Sequence, residues 1–230
     1  MGKLIFHGQS CCEIVTRDGT RLLIDPFLTD NPAAVVGREY FHDRLDYILL
    51  THGHYDHVAD AWPLLSETDA MLIASFEIVS YAQQVLGHDR AHAMHIGGAF
   101  EFPFGRVKLT PALHGGQVAG EGAEGYTTVP AGLLLHIDES RIYHAGDTAL
   151  LADMALLEGL VDVALLPIGD NFTMGPEDAA RAVEMIKPRV VIPIHYSTWP
   201  LIEQDPEAFR ARVEPRAAVV VLEPGQAYEF

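Results

Sequence analysis

Short apolar runs broken by turn residues fill the first third of the chain, and helical periodicity interrupts them only beyond it. "KLIFH" (3–7), "CCEIVT" (11–16) and "RLLIDPF" (21–27) predict strands, with Asp18-Gly19 marking a hairpin between the last two. "LDYILLT" (45–51) predicts a buried strand that ends at His52. A short helix is expected over Ala59–Leu65, then a strand "AMLIAS" (70–75) and an amphipathic helix "FEIVSYAQQVLG" (76–87) stopped by Gly87. Strands return in "RVKLTPAL" (106–113), "AGLLLHID" (131–138) and "RIYHAG" (141–146). "ALLADMALLEGL" (149–160) has helical spacing, and "VDVALLPIG" (161–169) is another buried strand. The clearest helix is "GPEDAARAVEMIKP" (175–188), with Pro176 in its first turn and acidic residues near its N-terminus. A strand "RVVIPIH" (189–195), a helix "DPEAFRARVE" (205–214) and one or two strands in "AAVVVLEPGQAYEF" (217–230) complete the pattern. Hairpins mixed with strand–helix units predict two sheets with helices packed outside them.

The 230 residues, 49% of them hydrophobic, suffice for one well-packed core. No linker, low-complexity segment or internal repeat is visible, so residues 1–230 are expected to form a single domain. "MGKLIFHGQS" lacks a secretory apolar segment, and no apolar run reaches the roughly 18–20 residues that span a bilayer. Phe6 also breaks the myristoylation pattern, so a cytoplasmic protein without a membrane partner is expected. Cys11 and Cys12 are adjacent and read as reduced thiols on either face of a strand. Fifteen basic against thirty-two acidic residues give a formal charge of -17, which argues against nucleic acid as a partner. A small-molecule substrate remains, and the sequence leaves a homo-oligomer open.

The awkward polar residues follow the strands. His52 follows "DYILLT", His114 follows "VKLTPAL", Asp147 follows "RIYHAG" and His195 follows "VVIPI", each at the C-terminal end where open sheets place their sites. Within "THGHYDH" (51–57), His52 and His54 can face one ion, while Asp56 and His57 start the next turn and can face a second. A hydrolytic zinc site needs about three protein ligands and an open position. His114 can complete the first set and His195 the second, with Asp147 bridging ions about 3.5–4 Å apart. The expected cofactor is therefore two divalent ions, zinc or else manganese or iron.

H-x-H-x-D-H followed by isolated His, Asp and His after strands resembles the metallo-β-lactamase superfamily. "FHGQSCCEI", "DPFLTDNP", "LDYILLTHGHYDH", "YHAGDT", "PIGDNFTMGPEDA" and "VIPIHYSTWP" are similar to its small metal-dependent hydrolases of unassigned substrate, related to ascorbate-6-phosphate lactonase-like proteins. The resemblance implies an α+β fold, a four-layer αβ/βα sandwich, with a dinuclear site along one edge of the two sheets. Tyr55 occupies a motif position that is usually small, and Gln9 stands where the family's words carry His.

Each residue also has a plainer role. His114 and His195 taken singly are ordinary strand-end histidines, and Asp147 could cap a helix. His7 reads either as a substrate-facing or supporting group, as similar words in the lactonase-like branch suggest, or as a satisfied buried histidine. His144 reads as structural; His42, His88, His92, His95 and His136 read as surface or loop residues. Asp25 is either an orienter for a ligand histidine or a turn residue before Pro26. The loop 169–175 could bind an anion or merely cap the helix, and Phe172, Tyr196 and Trp199 are pocket walls or core edge.

The expected chemistry is hydrolysis by a water shared between the ions and deprotonated near neutral pH. Asp56 would orient it, and Asp56 or His7 would assist the leaving group. The bond would be an ester, lactone, amide or phosphoester. The alternative is a metal-binding protein of the same fold without hydrolytic activity. A di-iron reductase of this fold would carry Glu in place of His54 together with a flavin domain, and a nuclease would carry a basic surface.

Overall fold

The computed structural model describes residues 1–230, and alternation along its strands sets the architecture. Six strands come from the first part of the chain: β1 (Lys3–Gly8), β2 (Cys11–Val15), β3 (Arg21–Ile24), β4 (Tyr47–Leu49), β5 (Met71–Ser75) and β6 (Ala91–Met94). Seven follow: β7 (Ala99–Phe102), β8 (Gly105–Pro111), β9 (Ala131–Ile137), β10 (Ser140–His144), β11 (Val163–Pro167), β12 (Val190–Ile194) and β13 (Ala218–Val219). The last strand, β14 (Ala227–Glu229), returns to pair with β1, giving two seven-stranded sheets. Both sheets run antiparallel over β1 to β3 and β7 to β10, then parallel over β3 to β6 and β10 to β13.

Leu22 and Ile24 of β3, with Val163 and Leu165 of β11, enter a 24-residue cluster drawn from both sheets. Their neighbours point the other way. Leu23, Ile48 and Leu72 pack against α1 (Tyr55–Val58), α2 (Ala61–Glu67) and α3 (Phe76–Gln84). On the far side, Ala164, Leu166 and Val191 pack against α4 (Pro176–Ile186) and α5 (Pro206–Val213). Helix, sheet, sheet, helix: this is the expected four-layer α+β sandwich. Cys11 and Cys12 are buried on opposite faces of β2, both as free thiols. No helix is long and apolar enough to cross a membrane.

The direction of the strands positions the chemistry. β8 and β10 are each antiparallel to β9, so they share a direction, and β11 and β12 follow β10 in parallel. Their C-terminal ends therefore open on one edge. Departures from the expected elements lie elsewhere. Residues 149–160 contain only a 3₁₀ segment, Ala152–Leu157, because Leu156 and Leu160 face solvent rather than a helix-packing surface. β6 and β7, which no apolar run announced, lie at the ends of their sheets, β6 partly buried and β7 mostly exposed.

Candidate metal centre

β4 stops at Leu49, and the chain reaches the site through Leu50 and Thr51. The Thr51 N–H and Oγ1 both donate to the buried Asp25 carboxylate, at 2.8 and 2.6 Å. The same carboxylate lies 2.8 Å from His57 Nδ1, so the ring donates there and turns Nε2 toward the cluster. Gly53 lets this loop lie against residues 117–119: a Cβ on it would stand 2.7 Å from Val118 Cα. Ala119 N–H donates to Gly53 O at 2.7 Å, locking the contact.

Two sets of ligand atoms result. His52, His54 and His114 form one; Asp56, His57, Asp147 and His195 form the other, and in each the atoms lie within 4.8 Å of one another. His114 Nε2 is 3.1 Å from His54 Nδ1. In the second set His195 Nε2 is 3.0 Å from Asp147 Oδ2, and His57 Nε2 is 3.3 Å from it. Asp147 Oδ2 also lies 3.5 Å from His114 Nε2, so one carboxylate oxygen touches both sets.

His7 is not brought there. Phe6 enters the core between the sheets, so the next side chain on β1 points to the opposite face, where His7 Nε2 meets Glu13 at 3.2 Å. Its ring packs edge-on to Phe41 at 5.7 Å. Gln9, in the turn between β1 and β2, reaches the cluster instead. Its Nε2 donates to Asp56 Oδ2 at 2.9 Å, its Oε1 accepts from Thr198, and its carbonyl accepts from His195 N–H at 2.7 Å. Only its departure from the family's usual His marked Gln9 in the sequence. His144 is structural as read, its Nε2 lying 3.0 Å from the Ser10 carbonyl.

The charges are unevenly settled. Burial holds His52, His54 and His114 below the usual histidine value. Burial also pushes His57 and His195 down, but Asp147 and its neighbouring carboxylates outweigh it, raising His57 well above the usual value and His195 to about 9. Burial raises Asp56 and Asp147, yet the imidazoles of His57 and His195 prevail and hold both far below the usual carboxylate range. His52 Nε2, His57 Nε2 and Asp147 Oδ1 are buried without a hydrogen-bond partner. Each such orphan costs about 1–3 kcal/mol, and five imidazoles with two carboxylates are the donors divalent cations take. The residues fit metal ions.

Residues 20–196 match the family profile "Beta-lactamase superfamily domain". A "UPF0173 metal-dependent hydrolase" of Anoxybacillus flavithermus is 49% identical over 215 residues, 92% of this chain and 93% of that protein. Another, from Enterococcus faecalis, is 46% identical over 226 residues, 97% of this chain and 98% of its own. Among solved structures, Igni18, a metallo hydrolase of the archaeon Ignicoccus hospitalis, superposes with a TM-score of 0.87 at 35% identity, covering 100% of this chain and 99% of that one. The chain belongs to the beta-lactamase superfamily, as a metal-dependent hydrolase with the metallo-β-lactamase fold.

Proposed function

We propose that residues 1–230 act as one metallo-hydrolase domain that cleaves a lactone, ester or phosphoester bond of a small molecule at a dinuclear site. His52, His54 and His114 would hold one divalent ion and Asp56, His57 and His195 the other, with Asp147 between them. The observation that carries this reading is the single Asp147 oxygen within 3.0–3.5 Å of His195, His57 and His114. Zinc suits the nitrogen-rich donors, with manganese or iron as alternatives.

Bound there, the ions would lower the pKa of a shared water to give hydroxide near neutral pH and polarise the substrate's carbonyl or phosphoryl oxygen. The chain's own residues supply the rest. Asp25 fixes the His57 ring, and Gln9 fixes the Asp56 carboxylate by donating to its Oδ2. So held, Asp56 can take a proton from the attacking water and return it to the leaving group. Phe172 and Trp199 wall the opening.

Elemental analysis of the purified protein should find two metal equivalents. His54→Ala and Asp147→Ala should each fall well below two and lose hydrolysis of any substrate the parent accepts. Full metal content and activity in both variants would defeat the assignment.

A further inference from the structure

Apart from Asp25 and Gln9, the residues that build this site stand in stretches of sequence without a single lysine or arginine: 45–89, 109–140, 142–180 and 190–209. Many of the basic residues open strands instead. Arg21 starts β3, Arg44 and Arg90 precede β4 and β6, Arg141 lies at the start of β10, and Arg189 and Arg216 precede β12 and β13. The site collects the C-terminal ends of strands, so the topology sends these cations to the opposite edge of the sandwich. Arg38 opens a short 3₁₀ strap, Arg38–Phe41, over the first sheet and is paired with Asp60 at 3.5 Å and Glu67 at 3.1 Å.

The pocket above the two ligand sets holds about 320 Å³. Besides cluster histidines and aspartates its lining is Phe172 and Trp199 alone. Trp199 is braced edge-on by Phe27 at 6.3 Å, and Phe27 packs in the same way on Tyr55 at 6.1 Å. Phe172 is 49% exposed, an aromatic face open to a ligand. Nearby charges that are free to act are acidic: Asp30 accepts from Tyr55 and Asp170 opens the loop that carries Phe172, and both are exposed.

Metal ions held by the two ligand sets could take one phosphoryl oxygen, but sites that select phosphoryl groups add Arg or Lys on the remaining non-bridging oxygens, in a fork or as a clamp. No side chain of that kind lines this pocket, and the net charge of -17 opposes the long-range approach of an anion. An uncharged molecule meets no such barrier and gains by covering the two aromatic rings. We infer that the substrate is an uncharged lactone or ester with a compact apolar body, rather than a phosphoester; this rests on the hydrolase reading above. In the reaction the acyl C–O bond breaks and the water oxygen bonds to the acyl carbon. One water proton goes to the leaving alkoxide, and the other is lost to solvent as the new acid ionises. The product thus acquires the charge that the acidic rim repels, which favours its release.

The test compares four substrates on the metal-loaded full chain: 4-nitrophenyl butyrate, δ-valerolactone, bis(4-nitrophenyl) phosphate and 4-nitrophenyl phosphate. The ester and lactone should show kcat/KM at least about 100-fold above either phosphate. Added salt should leave the ester unchanged while raising the phosphate rates as repulsion is screened. Phe172→Arg, at a half-exposed position, should move the diester-to-ester ratio tenfold or more toward the diester, whatever the intrinsic reactivity of the two. A phosphate turned over as well as the ester overturns the substrate class and leaves the hydrolase reading standing. A metal-loaded protein inert toward all four overturns both.

Discussion

Glu13 shows how much a single buried carboxylate can depend on its partners. It is sealed under the strap at Tyr40 and Phe41, with Oε2 3.2 Å from His7 and Oε1 accepting from Arg21 Nε at 2.7 Å. Arg21 in turn lies over the Tyr40 ring at 4.8 Å. Burial raises the Glu13 pKa, but the hydrogen bonds from His7 and Arg21 outweigh it, so the folded value lies below the ordinary 4.5. A carboxyl depressed in this way contributes stability that is full above 4.5 and is lost as pH falls through the lower folded value. The urea midpoint of Glu13→Gln should therefore trail the parent most at pH 6, with the gap narrowing as pH falls below 4.5; a gap independent of pH would contradict the pairing. The same residues mark the limit of legibility at this scale. The candidate ligands stood out because imidazoles and carboxylates at the ends of apolar runs have no core role. His7 shares that look, yet strand alternation turns it away, while Gln9, an amide in a turn, carries no signature of the contact it makes. Asp25 was readable as an orienter because it too ends a strand, and it stands 2.8 Å from His57.

At the scale of elements, the loop after β4 is where sequence and geometry constrain each other most. Gly53 sits under Val118, whose Cα cannot move aside as a flexible side-chain tip could; an added Cβ would be 2.7 Å away. Gly115 has the same relation to the site from the other side, its Cβ position lying 2.9 Å from His54 Cε1. Gly53→Ala should therefore displace His52 and His54 together. The expected result is loss of metal from the His52–His54–His114 set, with a stability cost of about 1–3 kcal/mol from overpacking. Metal content and the thermal midpoint of the variant check both parts. Helices and buried strands were legible where period and length agreed, as in Pro176–Ile186 and Val163–Pro167. They were not where burial is partial. Ala99–Phe102 has an edge position and three exposed residues, so the hydrophobic pattern that marks a strand is missing. In 149–160 the leucine spacing is helical, but Gly159 at φ 72° and the solvent-facing Leu156 leave only a 3₁₀ turn.

Across the whole molecule, the two sheets repeat one plan, antiparallel strands followed by parallel ones, although the sequence shows no repeat. The site is where the two copies of the plan meet. His52 and His54 come from the loop after β4 and Asp56 and His57 from α1, all on the first sheet's side, while His114, Asp147 and His195 come from the second sheet's loops. Metal bound there would tie the two sheets at this edge, and without it three buried polar atoms stay unmatched. Ligand binding to the folded state alone stabilises by about 2.7 kcal/mol at a free concentration 100 times Kd. For a chain of this size each kcal/mol moves Tm by about 2–4 °C, so removing one such ion should lower Tm by roughly 5–10 °C. Calorimetry before and after chelation, then after metal is restored, measures it. Because both sheets contribute candidate ligands, the loss should appear as a shift of one cooperative transition. An early, separate melting of either sheet would mean that the ions do not join them.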